Sequence, residues 1–226
     1  VRKNPDRITS DGILGDSGID IVMNSLEKSH VSGNILAEAS VKRRELKNLF
    51  IITGNYKLDN YEYYKDESLH RFVEKCYRDF DITILLVNKS IYDSYTVISL
   101  IRSDYNIVAT RPELDRIREY NEYIMFLSRT QQIPPEKTKF VAYEYDEWEG
   151  LSKTVLAQVT GYNLIGKVGY SKRRIKYRNL KIPYVRRMEK NIVSDYINIM
   201  RFFNITSKPS LSGSVSNFLS RSARAF

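Results

Sequence analysis

The feature that most constrains the fold is an even alternation of short apolar runs and longer amphipathic stretches between Asp79 and Asp146. Parallel strands need a crossover connection, which is usually a helix. This order therefore predicts an α/β domain with a mainly parallel sheet and helices on both faces. Strands are predicted at 48–54, 81–87, 105–110, 138–144 and 163–169. Helices are predicted at 19–28, 34–39, 66–78, 92–103, 112–131, 150–160 and 186–203.

The chain has 226 residues, of which 42% are hydrophobic, and this is enough for one α/β domain. We assign residues 19–205 to that domain, 1–18 to a polar lead-in, and 206–226 to a Ser-rich flexible tail. The longest apolar run, 82–87, is far shorter than the roughly 20 residues that a membrane-spanning helix needs. No secretion signal is predicted, and the start at Val1 rather than Met leads us to expect residues upstream.

The few cysteine and histidine residues limit the chemistry that the chain can perform. The single cysteine, Cys76, cannot form an internal disulfide, which is typical of a cytoplasmic protein. It falls on the apolar face of the predicted helix 66–78, so we expect a packing role. His30 and His70 have no second His or Cys at ligand spacing, so no metal site is predicted. No nucleophile and base stand in a recognisable pattern, and no catalytic residue is assigned.

Positive charge is concentrated in one segment near the end of the chain. The net charge is +9, and much of the excess lies between Lys167 and Lys190. One interpretation is a solvated basic face, and the other is a binding site for an acidic protein, a nucleic acid or an anionic lipid. The candidate residues for binding an anionic partner are Lys172, Arg173, Arg174, Lys176, Arg178, Arg186 and Arg187.

The tail has two interpretations. It is either disordered, or its tip is a short basic amphipathic helix that binds weakly and reversibly to a membrane surface. The candidate membrane residues are Phe218, Leu219, Arg221, Arg224 and Phe226.

Five stretches carry patterns of a known family, and their order is more specific than any one of them. They are Gly18 to Lys28, Asn48 to Gly54, Phe80 to Asn88, Ser103 to Thr110, and Asn163 to Tyr170 followed by Tyr177 to Tyr184. In this order they resemble the MinD/ParA-type ATPases (SIMIBI class) of the P-loop superfamily, including the divergent TadZ/CpaE group that positions pilus and secretion machinery. The resemblance implies a three-layer sandwich lacking its first βα unit. It also implies a bacterial cytoplasmic protein, peripheral on the inner face of the membrane, that forms dimers.

Departures from the family pattern bear on catalysis. The family's P-loop, G-K-G-G-x-G-K-[ST], holds phosphate with its backbone amides. It is absent from this sequence and would lie upstream of Val1. Leu86 stands near the end of the strand where the resemblance places the aspartate of the magnesium shell, and Asn88 carries no charge to offset Mg²⁺. ATP and Mg²⁺ are therefore expected as cofactors only if an upstream P-loop exists.

Two further departures concern nucleotide binding, and at the first of them the family usually sets an asparagine against adenine. Tyr143 and Glu144 replace an asparagine, and Tyr170 and Ser171 replace a proline and an aspartate. The nucleotide-binding positions that the resemblance implies are Asn88, Tyr143, Glu144, Tyr170 and Ser171.

Three functions follow from these observations. The first is a degenerate MinD/ParA-like scaffold or positioning protein in a pilus or secretion assembly, which binds a protein assembly or a second copy of itself. The second is an active ATPase whose P-loop lies upstream. The third is a ParA-like DNA-binding protein that uses the basic segment, whose contacts with phosphate would make binding strongly dependent on salt.

Overall fold

The computed structural model describes most of the chain in two compact units, Val1–Ser103 and Asp104–Phe226. The described residues are 18–28, 33–43, 46–54, 64–88, 91, 93–146, 148, 151–161, 163–180, 184 and 188–205. The assignment of 19–205 to one domain stays a prediction. The lead-in (apart from Gly18), the tail and several candidate residues lie outside the described residues; these candidates are Arg186, Arg187, Phe218, Leu219, Arg221, Arg224 and Phe226.

The first unit contains four helices and a two-stranded antiparallel sheet among its described residues. They are α1 (Ile19–Leu26), α2 (Ile35–Glu38), β1 (Val41–Arg43), β2 (Leu46–Ile51), α3 (Asp66–Asp79) and α4 (Ser94–Arg102). Apolar side chains of all four helices form one core. In α3, Leu69, Phe72, Val73 and Cys76 recur at helical spacing and are buried, so the packing role predicted for Cys76 is confirmed.

The start of α4 is set by a side-chain cap. The Asp93 carboxylate accepts a hydrogen bond from the backbone N–H of Thr96 at 3.3 Å. A carboxylate at this position pairs one of the amides that a helix start leaves without a partner. The helix therefore begins at Ser94, close to the position predicted from the sequence.

Two strand predictions in the first unit need correction. The strand predicted at 48–54 is β2, at Leu46–Ile51, and it pairs antiparallel with β1, which the sequence analysis missed. The strand predicted at 81–87 does not form, and residues 82–88 have no regular secondary structure. An apolar run becomes a strand only when a second strand pairs with its backbone, and no described strand pairs with this one.

The second unit contains a three-stranded parallel sheet of order β3-β4-β5, as the alternation predicted. Its elements are β3 (Asn106–Thr110), α5 (Leu114–Gln131), β4 (Thr138–Tyr145), α6 (Lys153–Val159), β5 (Leu164–Gly169), α7 (Lys172–Asn179) and α8 (Lys190–Phe202). A single 3₁₀ turn, Pro135–Lys137, precedes β4.

Helices cover both faces of this sheet. On one face, Phe140 and Ala142 of β4 form a core with Ile117 of α5 and Leu156 of α6. On the other face, residues of β4 and β5 pack against α8, as in the cluster Val141, Val168 and Ile192. The α8 helix crosses β5 so closely that a Cβ atom at Gly166 would lie 2.5 Å from Ile199 Cγ1. Only glycine fits at this crossing without movement of its neighbours.

The structure adds one helix within the basic segment, where the sequence analysis predicted no secondary structure. This helix is α7, and it has no buried residue. Pattern analysis finds helices through a recurring apolar face, and a helix that buries nothing carries no such pattern. Within the described ranges, no helix combines the length and the hydropathy needed to cross a bilayer.

Candidate functional site

The candidate site is the edge of the parallel sheet where β4 and β5 end. Open parallel sheets bind their ligands outside the carboxyl ends of the strands. Tyr143 and Glu144 lie at the end of β4, and Tyr170 and Ser171 follow β5 directly. The backbone N–H of Tyr170 donates to the carbonyl oxygen of Tyr145 at 3.0 Å, which joins the two strand ends. Four of the five predicted nucleotide positions therefore lie at one edge.

The fifth predicted position, Asn88, lies in the first unit. Its side-chain amide donates to the Asp93 carboxylate at 3.4 Å and accepts from the Thr96 hydroxyl at 3.5 Å. These bonds connect Asn88 to the start of α4, so its described contacts are those of a helix-capping network.

Glu144 is held in an unusual backbone conformation. Tyr143 pairs with Val168 and Tyr145 pairs with Gly169, so Glu144 is the extra residue of a bulge between β4 and β5. Its φ is 55°, in the left-handed region that side chains other than glycine rarely adopt. Bulges change the direction of a side chain at the end of a strand. The bulge therefore sets where the Glu144 carboxylate lies.

Two arginines hold that carboxylate. Arg111, directly after β3, places Nη2 at 2.5 Å and Nε at 2.6 Å from Glu144 Oε2. Arg174 of α7 donates from Nη2 to the other oxygen, Oε1. The Glu144 side chain is only 9% exposed, so its charge is offset by the arginines more than by water. Three elements, β3, β4 and α7, thus meet at one carboxylate.

Arg174 makes a second contact that fixes its plane. Its guanidinium carbon lies 4.2 Å from the centre of the Tyr143 ring, a cation–π contact. Burial lowers the pKa of Arg174, and the positive charges of Arg111 and Arg178 act in the same direction. Arginine stays protonated despite such shifts. The direction of the shift reflects mainly the partial burial of the guanidinium.

A second network forms around Glu189, just before α8. Ser171 Oγ donates to Glu189 Oε1 at 2.8 Å, and the Tyr184 hydroxyl donates to Oε2. Burial alone would raise the pKa of Glu189, but the bonds from Tyr184 and Ser171 lower it overall. Burial and the bond to Glu189 raise the pKa of Tyr184 to about 12. Ser171 was predicted to contact a nucleotide, and in the structure its hydroxyl is used in the hydrogen bond to Glu189.

The basic residues of α7 lie beside this edge and are mostly exposed. The helix contains five cations and no acid. Arg174 binds Glu144, and Arg173 lies 3.9 Å from Glu189. Lys172, Lys176 and Arg178 form no ion pair with any residue that the structure describes. Part of the predicted anionic-partner site is thus a solvent-facing cationic helix.

Comparison with known proteins places the fold. The MinD cell division protein of Aquifex aeolicus aligns with a TM-score of 0.60 and 18% identity, over 84% of this chain and 81% of that chain. A chain of the MinC:MinD cell division protein complex of Aquifex aeolicus aligns with a TM-score of 0.58 and 17% identity, over 88% and 85%. The chain has a MinD-like fold. At this low identity the likeness establishes the fold alone. No family model matches the sequence, and no curated protein matches it significantly.

The described residues of this MinD-like fold do not fit an ATP and Mg²⁺ site. Leu86 offers an apolar side chain that is 79% exposed. The Glu144 carboxylate is engaged by Arg111 and Arg174, and one face of the Tyr143 ring is covered by a guanidinium. Among the described residues, no three His, Cys, Asp or Glu side chains converge as metal ligands would.

One stretch matches most of a P-loop by its letters but not by its structure. Residues 161–168 read G-Y-N-L-I-G-K-V, with Val168 in place of the Ser or Thr that binds magnesium. Gly166 and Lys167 lie within β5 and pair with β4. The Lys167 ammonium lies 4.5 Å from the centre of the Tyr145 ring. A strand in a ladder cannot wrap its amides around a phosphate, so this stretch is not a phosphate loop.

The sequence analysis missed Arg111, Glu189 and Tyr184. Arg111 carried one signal, because it directly follows a predicted strand and so stands at the carboxyl edge. Glu189 and Tyr184 carried none, since their contacts with each other and with Ser171 arise from tertiary structure and leave no local pattern in the sequence.

Proposed function

We propose that this MinD-like domain is a non-catalytic docking module that binds an acidic protein partner through α7, within a larger assembly such as a pilus or secretion system. The partner is either another protein of that assembly or a second copy of this chain. The observation that carries the proposal is the state of the ligand-binding edge, where the chain's own charged side chains occupy the space outside β4 and β5.

The contacts at this edge support a docking role over nucleotide hydrolysis. Catalysis of phosphoryl transfer needs cations that face the phosphates and a carboxylate that reaches magnesium. Here Arg111, Arg174 and Glu144 satisfy one another, and Ser171 and Tyr184 bind Glu189. Side chains engaged in this way stabilise the edge and are not available to phosphate or magnesium.

The exposed cations of α7 support an acidic partner. Lys172, Lys176 and Arg178 raise the local positive potential without forming an ion pair to a described acid. Such a patch attracts acidic surfaces and speeds their association. One of the similar structures is a MinC:MinD complex, in which a protein of this fold is bound to another protein.

A nucleotide-binding measurement tests the non-catalytic part of the proposal. We expect a fluorescent ATP analogue to show no saturable binding to the chain in the presence of Mg²⁺. Saturable binding that is lost when Mg²⁺ is removed would contradict the proposal and favour the active ATPase. If the gene encodes residues upstream of Val1, the same assay on that longer form tests whether they supply a P-loop.

A competition experiment tests the class of partner. We expect a fluorescein-labelled hexaglutamate peptide to bind the chain at low salt, and we expect charge reversal at Lys176 and Arg178 to abolish that binding. Double-stranded DNA serves as the second probe, because α7 also suits phosphate. DNA that binds more tightly than the peptide at every salt concentration would favour the ParA-like alternative.

Attachment to a membrane is the remaining part of the proposal. We propose that the domain lies in the cytoplasm, peripheral on the inner face of the membrane, through the tail residues 214–226. Flotation with anionic liposomes is expected for the whole chain and not for a chain that ends at Gly213. Equal flotation of the two forms would remove the membrane role of the tail.

A further inference from the structure

The cluster of Arg111, Arg174 and Glu144 has the geometry of a bound ligand. Each arginine contacts a different oxygen of one carboxylate, in the way that guanidinium groups bind the carboxylate of a partner molecule. The carboxylate comes from the chain itself, from a residue at the edge where parallel sheets bind their ligands. Glu144 therefore stands where an external carboxylate would bind.

The exposure of Arg111 indicates that Glu144 can be replaced there. The Arg111 side chain is 58% exposed, so a carboxylate can approach it from solvent. Rotation of the Glu144 side chain would take its carboxylate away from both arginines and into water, where it becomes hydrated.

The surrounding charge favours a second carboxylate. Arg111 and the five cations of α7 make ion pairs with two described acids, Glu144 and Glu189. A third described acid, Asp146, follows β4 directly, so the cations still outnumber the acids. The positive charges of Arg111 and Arg178 both act on Arg174. An acidic side chain that arrives at this edge would be attracted by the unbalanced charge before it meets the two arginines.

We propose that Arg111 and Arg174 form a receptor for an acidic side chain of the protein partner, and that Glu144 occupies this receptor until the partner's carboxylate replaces it. The inference rests on the proposed docking function and deepens it. Glu144 is an internal competitor, so it weakens docking and limits it to partners whose acidic group reaches the end of β4. The exchange forms and breaks only ion pairs and hydrogen bonds.

The test measures the affinity for labelled hexaglutamate by fluorescence anisotropy, with the full chain and two variants of Glu144. Glu144→Gln keeps the shape and removes the charge. Glu144→Gly also removes the backbone cost, because glycine adopts φ 55° freely, and so keeps the fold if the first variant does not. Both variants are expected to bind about tenfold tighter than the native chain, which corresponds to about 1.4 kcal/mol.

Two controls separate this effect from a general change in charge. Asp146→Asn changes the net charge by the same amount two residues away, and the contact described for the Asp146 carboxylate is with the backbone N–H of Trp148. It is expected to raise the affinity less than twofold. Adding Arg111→Gln to Glu144→Gln is expected to cancel the gain, whereas adding Arg178→Gln lowers affinity by the same factor in both backgrounds.

Each outcome bears on a different part of the proposal. If the native chain binds hexaglutamate and the folded Glu144 variants bind it no tighter, the proposed Arg111–Arg174 receptor is wrong. The proposed docking function of α7 is then retained. If neither the native chain nor any variant binds the peptide, both the receptor and the docking function are wrong. A gain seen with inorganic phosphate but not with hexaglutamate would overturn the assignment of a carboxylate ligand.

Discussion

Two cation-bearing helices of this chain, α3 and α7, use their charge in opposite ways. The α3 helix has three cations and four acids, and it buries an apolar face. Each of its cations has a described partner. Arg71 donates to the Leu26 carbonyl oxygen at 2.7 Å, Lys75 contacts Asp79 at 2.8 Å, and Arg78 contacts Asp79 at 3.4 Å. The cations of α3 therefore belong to the structure of its own unit.

The α7 helix has five cations, no acid and no buried residue. Only Arg173 and Arg174 contact a described acid. A helix that buries nothing gains little stability from packing, and neighbouring like charges oppose it. The number of cations on a helix therefore does not identify a binding surface. A binding surface is identified by cations that are exposed to solvent and that form no ion pair with a described acid.

The largest effect that would test this contrast is expected at Lys75. Its side chain is 8% exposed, and its ammonium donates to the Gly33 carbonyl oxygen at 2.9 Å as well as contacting Asp79. Lys75→Ala removes both contacts, and we expect the free energy of unfolding to fall by about 2 kcal/mol, measured by urea denaturation. Lys176→Ala in α7 is the matched control, with an expected change within about 0.5 kcal/mol. Equal losses from the two substitutions would break the contrast.

The next effect is expected at Glu189, which connects the start of α7 to α8. Glu189→Gln weakens the bonds from Ser171 and Tyr184, and we expect a loss of about 1 kcal/mol in the free energy of unfolding. It should also lower the pKa of Tyr184 from about 12. The ultraviolet absorbance of the phenolate measures this pKa, with Tyr184→Phe identifying the signal. An unchanged Tyr184 titration would show that burial alone sets its pKa.

The sign of the Tyr184 effect on stability follows from the direction of its shift. Its pKa is raised in the folded chain from the ordinary value of 10.0 to about 12. Tyr184 therefore contributes stability that is fully present below pH 10 and is lost as the pH rises through 12. Glu189→Gln should reduce this alkaline loss. A loss equal to that of the native chain would contradict the assignment to Glu189.

A smaller effect is expected at Asp79 in acid. The hydrogen bond from Lys75 is the largest cause that lowers the pKa of Asp79 below its ordinary value of 3.8. Because the folded pKa is depressed, Asp79 contributes stability above pH 3.8 that is lost as the pH falls through the folded pKa. Asp79→Asn should lower the free energy of unfolding at neutral pH and should reduce its further decrease as the pH falls below 3.8. An equal decrease in acid for the variant and the native chain would exclude this role.

The parallel sheet could be predicted because the pattern that specifies it lies in short, neighbouring segments of the sequence. The runs that form β3, β4 and β5 are apolar, evenly spaced and separated by helix-length segments, and this order alone calls for crossovers. The resemblance to the MinD/ParA-type ATPases, rather than the alternation, named Tyr143, Glu144, Tyr170 and Ser171. The parallel order explains why they lie at one edge, because the carboxyl ends of parallel strands share an edge.

The features that could not be predicted depend on contacts between distant residues. The run 82–87 has the composition of a strand, but composition does not say whether a neighbour pairs with it. Glu144 meets Arg111 only through the register of β3 and β4 and the bulge at its own position, and neither carries a local signal. The α7 helix lacks the apolar periodicity through which helices are recognised.

The smallest effect on stability, and the most informative one for function, is expected when two exposed cations of α7 are replaced together. Lys176→Gln with Arg178→Gln should change the free energy of unfolding by less than about 0.5 kcal/mol, since neither side chain is buried or paired with a described acid. The same change should weaken hexaglutamate binding several-fold, because long-range attraction depends on the number of cations that face the solvent.

The control is a single substitution in α3. Arg78→Gln should leave hexaglutamate binding within twofold, because Arg78 contacts Asp79. If the α7 change leaves peptide binding unaltered while the Arg78 change lowers it, the contrast between the helices is reversed, and the partner docks on the first unit.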